Sequence, residues 1–319
     1  MRREGSPWQG LNTVFVKEMT DYVSSGRMLV LGLITIGIAC LVVYFAIDNI
    51  RQTTAEDPFV LLKLFTTGPS ILSLVLILGI LLPVVAIGLG FDTVNGEHNR
   101  RTMSRILSQP IYRDALLAGK FLAGLATLAI NLICLWLLVV GLGIILLGQP
   151  PSGEEIARSL LFLLMTLAYA GVWFALAMLL SIVSRSAATA VLAGLGIWFF
   201  FILIWPFLAN GLAATIAPPD LRYEMLGLQT PATLQWTEML RRLSPNQLFS
   251  EAAVTLLVPD TRAAGAVYLD QLRGAVMGAP LPLSESLAIV WPQMVALIAG
   301  VFVLFVGGYV VFQRQEVRA

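Results

Sequence analysis

Charge, histidine and cysteine are what this 319-residue sequence has least of. Only 12% of its residues are charged, about half the share found in soluble domains, while 58% are hydrophobic, a composition suited to a membrane interior. Twenty Lys and Arg are offset by nineteen Asp and Glu, and a net charge of +1 offers no basic field to a nucleic acid backbone. One histidine, His98, and two cysteines, Cys40 and Cys134, each flanked by apolar residues, exclude a disulfide framework and a Cys/His zinc site. There is no His-Glu-x-x-His motif, no intramembrane Asp pair and no carboxylate-paired site, so nothing points to a catalytic centre or a bound metal. A phosphate loop is missing too: Gly119-Lys120 is followed by Phe121 and lacks the upstream glycine.

What is present is length without charge. Six stretches hold no Asp, Glu, Lys or Arg and can each cross a bilayer: Met28 to Ile47, Ile71 to Phe91, Phe121 to Leu147, Ser159 to Val183, Ala187 to Leu208 and Ile289 to Phe312. About 20 residues at 1.5 Å rise cover the roughly 30 Å hydrocarbon core. Helices are the expected form, because the short alternating segments of a barrel are absent. The first stretch is too long for a signal peptide and has no small-residue cleavage site after it. Only Ser184, Arg185 and Ser186 divide the fourth and fifth. One helix through both would run about 75 Å, and an arginine at mid-membrane costs about 2.5 to 3.5 kcal/mol, so these three residues are expected to turn at a surface. Short loops on the N-terminal side carry twelve Lys and Arg against three (Arg51, Lys63, Arg158) on the other, which places both termini in the cytoplasm.

The expected organisation is all-α: an interfacial helix within 1–27, five spans over 28–208 with a cytoplasmic loop at 92–120, an extracytoplasmic segment at 209–288, and a sixth span and tail at 289–319. Leu11, Val14, Phe15, Met19, Tyr22 and Val23 recur at helical spacing while Lys17, Glu18 and Asp21 lie on other faces, the pattern of an amphipathic helix on the inner membrane surface. An ordinary solvated leader is the plainer reading. In the 92–120 loop, Asn95-Gly96 signals a turn, Met103, Ile106 and Leu107 form one apolar stripe, and Pro110 ends the helix that carries it. From composition alone the loop could equally serve only to set topology.

These residues carry a resemblance. Gly96-Glu97, Thr102, Ser108, Pro110-Ile111, Arg113 and Gly119-Lys120 resemble the cytoplasmic loop of type-2 ATP-binding-cassette (ABC) exporter permeases, and Lys17-Glu18, Asp21 and Arg27 resemble that family's interfacial helix. Arg101 departs from it, standing where glycine usually precedes the threonine. The resemblance covers nearly the whole chain. It implies a membrane subunit of an ABC exporter in the plasma membrane, whose loop (Glu97, Arg101, Thr102, Met103, Ile106, Leu107) contacts a separate cytoplasmic ATPase holding ATP and Mg. It also implies a second permease copy, a homodimer here. This chain would hold no cofactor of its own.

Two weaker signals remain. Trp198, Phe199, Phe200, Phe201, Trp205 and Phe207 crowd the outer end of the fifth span, as an interfacial belt or packing surface rather than a stacking surface for cargo. Pro83 and Pro206 can each kink a span. The 209–288 segment is too long for a plain connection; Leu248, Ala252, Thr255 and Leu256 would line a helix between Ser244-Pro245-Asn246 and Pro259. The resemblance implies short helices dipping back into the outer membrane between the last two spans, and this segment is larger than they need, which leaves room for an extracytoplasmic cap or partner. No residue identifies a substrate, although spans free of charge suit hydrophobic or amphiphilic cargo. The alternative, a channel or ion-coupled carrier, would normally place ionisable residues inside the spans, and none of the six stretches has one.

Overall fold

A computed structural model describes residues 10–53, 59–67, 73–99, 112–218, 230–259 and 280–314. These residues are helical, without strands among them, and six helices are long and apolar enough to cross a membrane. In chain order the elements are α1 (Leu11–Val23), α2 (Gly26–Thr53), α3 (Val60–Thr66), α4 (Leu74–Gly90), α5 (Asn95–Asn99), α6 (Arg113–Leu147) and α7 (Gly153–Val183). They continue as α8 (Ala187–Phe199), a π-helical turn (Phe200–Ile204), α9 (Trp205–Ile216), α10 (Pro231–Arg241), α11 (Pro245–Leu257) and α12 (Leu283–Arg314). The spans are α2, α4, α6, α7, the run from α8 to α9, and α12. Asp114 at the start of α6 accepts hydrogen bonds from Tyr309 and Gln313 at the end of α12, Gly119 of α6 packs on Val14 of α1 and Lys120 binds Glu97 of α5, so α1, α5, the start of α6 and the end of the last span share one end of the bundle, called here the near end.

Helix boundaries follow local chemistry. Ser152 accepts from the Glu155 amide while Glu155 reaches back to the Ser152 amide, a reciprocal cap that starts α7. Gly148 closes α6 at φ +73°, a conformation that costs glycine little. Ser184-Arg185-Ser186 breaks the fourth span from the fifth as expected, with Ser186 capping the Thr189 amide. Several helices outrun the charge-free stretches. α6 begins at Arg113, so residues 113–120, read from sequence as part of the loop, are helical, and Asn95-Gly96 opens the short α5 instead of a bare turn. Residues 209–216 extend the fifth span and 283–288 begin the sixth.

Packing is closest around α7, whose Tyr169, Trp173 and Phe174 are fully buried. A Cβ at Gly124 of α6 would lie 2.0 Å from Phe174 Cζ, so only glycine lets that ring pass. At the far end, α10 and α11 form a hairpin folded back among the spans. Trp205 Nε1 donates to the Leu240 carbonyl (2.9 Å), Tyr169 stacks on Phe249 with ring centroids 4.5 Å apart, and the Tyr169 hydroxyl donates to the Gly79 carbonyl (2.7 Å). Ala252, Thr255 and Leu256 do line the buried face of α11. The fully buried Arg158 donates to the carbonyls of Leu256 and Leu281, to Ser286 Oγ and to Glu154, tying the end of α11 and the start of α12 to α7.

Candidate functional site: a buried ion cluster at the near end

The site is assembled from three segments distant in sequence. On α1 the buried residues are Val14, Glu18 and Tyr22, spaced four apart, so one line of the helix faces α6. That contact is tight: a Cβ at Gly119 would lie 2.8 Å from Val14 Cγ1. Glu18, assigned by charge periodicity to a polar face of α1, therefore points inward. Two turns into α6, Lys120 waits for it with only 2% of its side chain exposed.

Lys120 Nζ donates to Glu18 Oε1 at 2.9 Å and to Glu97 Oε1 at 2.7 Å. One buried ammonium thus holds two carboxylates, one from α1 and one from α5. Lys17 lies 2.8 Å from Glu18, 3.2 Å from Asp21 and 3.9 Å from Glu97, closing the cluster on its exposed side. Beside it, Arg27 pairs with Asp92 at 2.9 Å and lies over the Phe91 ring, joining the start of α2 to the end of α4. The Val94 and Asn95 amides both donate to Ser181 Oγ, which fixes the start of α5 against α7.

Burial pushes the Glu18 carboxyl up, but the Lys120 charge and the bonds from Lys17 and Lys120 outweigh it and hold the group below its ordinary value. Burial likewise pulls Lys17 down, and its bonds to Glu18 and Asp21 more than reverse that, leaving it raised. Burial, together with the charges of Glu18, Asp92 and Glu97, keeps the Tyr22 hydroxyl well above its usual value, so it stays neutral. The cluster has no poised nucleophile or base. Its capacity is mechanical: α1, α5 and α6 cannot separate without leaving a buried charge unpaired.

Of the residues singled out from sequence, Lys17, Glu18, Asp21 and Glu97 meet here, with Arg27 adjacent. Arg101, Thr102, Met103, Ile106 and Leu107 lie outside the described residues, as do Ser108, Pro110 and Ile111. Arg158, Glu251 and Gln293 at the far end were not singled out. Glu251 accepts from Arg242 (2.9 Å), from Gln247 one turn earlier on α11 (2.9 Å) and from Gln293 (3.1 Å), the last brought in only by the fold of α11 onto α12. The Ser152 to Glu155 cap was readable as its Ser-x-x-Glu spacing; the partners of Arg158 were not.

Residues 12–317 match the family model described as ABC-2 family transporter protein. The chain is 28% identical over 229 residues to a probable ABC transporter permease protein NosY of Pseudomonas aeruginosa, covering 70% of this chain and 74% of that one. A protein of the same name from Stutzerimonas stutzeri is 25% identical over 258 residues, covering 79% and 82%.

Proposed function

We propose, from the premise that this chain belongs to the ABC-2 transporter family, that it is the membrane subunit of an exporter driven by a separate cytoplasmic ATPase. Membership makes it a multi-pass permease of the cell membrane; outward transport, the ATPase and a second permease copy are the finer reading. ATP and Mg would be held by the ATPase, since this sequence has no phosphate loop. The observation that carries the coupling role is the buried Lys120, which joins Glu97 at the edge of the 92–112 stretch to Glu18 on α1. Force applied to that stretch by a closing ATPase would reach α1 and α6 together. Met103, Ile106 and Leu107 would supply the apolar contact, with Arg101 and Thr102 at its base.

The test is Ile106→Asp with Leu107→Asp. Two charges placed in an apolar contact cost several kcal/mol if unpaired. The double variant should insert into membranes normally and either lose co-purification with the ATPase or lose transport-linked hydrolysis. Normal binding and transport would remove the coupling role from this loop.

A further inference from the structure

At the far end one guanidinium has no partner among the described residues. Arg241, at the end of α10, follows Thr233 and Thr237 at four-residue spacing on the buried face of that helix. Its Nε is buried and makes no hydrogen bond, and no ion pair is formed by its side chain among the described residues. The neighbouring Arg242 differs, being paired with Glu251. Arg241 is half-buried, beside the junction where the fifth span changes form. There Phe200–Ile204 makes a π-helical turn, and Trp205, the first residue after it, binds the carbonyl of Leu240. Single π-helical turns inside α-helices recur at binding sites.

The depth of this junction follows from helix lengths. Trp205 lies roughly 25 Å along its span from Ala187, just past the polar Ser184-Arg185-Ser186 turn, and Gln293 lies about 29 Å from Phe312 near the end of α12. A hydrocarbon core is about 30 Å thick, so Trp205, Arg241 and the Glu251–Gln293 pair fall at its far edge, where lipid headgroups begin. Arginine is the side chain best matched to phosphate, and a long cation at this depth reaches the headgroup layer while its stem stays in apolar surroundings. Exposed apolar groups flank the junction along the fifth span: Leu203 and Ile204 in the π-helical turn and Phe207 on α9.

We infer that Arg241 and the junction at Trp205 form a binding site for a phospholipid of the leaflet far from the termini. Its phosphate pairs with the guanidinium, and its acyl chains lie on the exposed apolar residues of the fifth span. The inference stands apart from the proposed coupling role, since it involves only the opposite end of the bundle.

Purified full-length protein in detergent is titrated with dihexanoyl phosphatidylglycerol by calorimetry. Saturable binding is expected, at least tenfold weaker in Arg241→Gln, partly retained in Arg241→Lys, and unchanged in Arg185→Gln at the near end. Equal binding by wild type and Arg241→Gln overturns the site. Inorganic phosphate binding as tightly as the lipid overturns it as a lipid site. If Arg241→Gln instead converts a dimer to monomer with lipid binding intact, the guanidinium meets a second copy of this chain and the proposal fails. Arg241→Lys, which keeps the charge, guards against loss by misfolding: its melting temperature should match wild type while its lipid affinity lies between the two.

Discussion

Lys120 is the residue on which the near end turns. Replacing it with methionine keeps the stem and removes the charge, leaving Glu18 and Glu97 side by side with only the largely exposed Lys17 as counter-ion. Breaking a buried pair this way costs about 3–5 kcal/mol. The thermal midpoint of Lys120→Met in detergent should fall sharply, whereas Lys17→Met, whose side chain is largely exposed, should change it little. The same cluster sets a pH dependence. Glu18 is held below its ordinary value of 4.5, so its contribution is complete above that value and is lost as pH falls below it through the lower folded value. Lys17, raised above 10.5, contributes below that value and ceases to as pH rises through its folded value. α1 should therefore stay docked through neutral pH and release on the acid side. Amide exchange over Leu11–Val23, corrected for intrinsic rate, should rise at pH 3 relative to pH 7. The sequence showed these charges but not their direction. Glu18 looked like part of a solvated face because its partner lies 102 residues on, and no local pattern reports such a pairing.

At the scale of elements, the spans were legible because a bilayer demands long runs without charge, and Ser184-Arg185-Ser186 marked its own turn. Helix ends were less so. The charges of Arg113, Asp114 and Lys120 argued for loop, yet Asp114 and Lys120 find tertiary partners that let α6 start before the apolar run. That short helices dip back between the last two spans came from the family resemblance; from residue spacing the hairpin was legible only as one helix, through Leu248, Ala252, Thr255 and Leu256. What fixes that helix is Arg158, and a single arginine near the start of a span reads equally as a topology signal. Its four acceptors belong to α7, α11, α12 and the residue two before α12. Arg158→Leu should leave the carbonyls of Leu256 and Leu281 without donors while the spans remain inserted. Limited proteolysis from the far side should then cut between 209 and 288 at least tenfold faster than in wild type, as expected when packed backbone opens locally. An unchanged rate would mean that α10 and α11 are held chiefly by the Tyr169, Phe249 and Glu251 contacts.

For the molecule as a whole, an even number of spans puts α1 and the end of α12 on one side, and the twelve-to-three charge bias predicts that side to be cytoplasmic. In a background lacking Cys40 and Cys134, Gln149→Cys should react with an impermeant thiol reagent applied outside intact cells, and Arg185→Cys only after permeabilisation. The reverse labelling would invert the molecule and place the ATPase contact elsewhere. The distance between Glu18 and Lys120 also imposes an order on biosynthesis. At elongation rates of about 5–20 residues per second, several seconds separate the synthesis of the carboxylate from that of its ammonium. Through that interval α1 has left the ribosome with no counter-ion to receive it and no Gly119 to accept Val14. Nascent chains arrested before residue 120 should therefore carry a protease-sensitive N-terminal helix, and α1 closes onto the bundle only once the third span is being threaded.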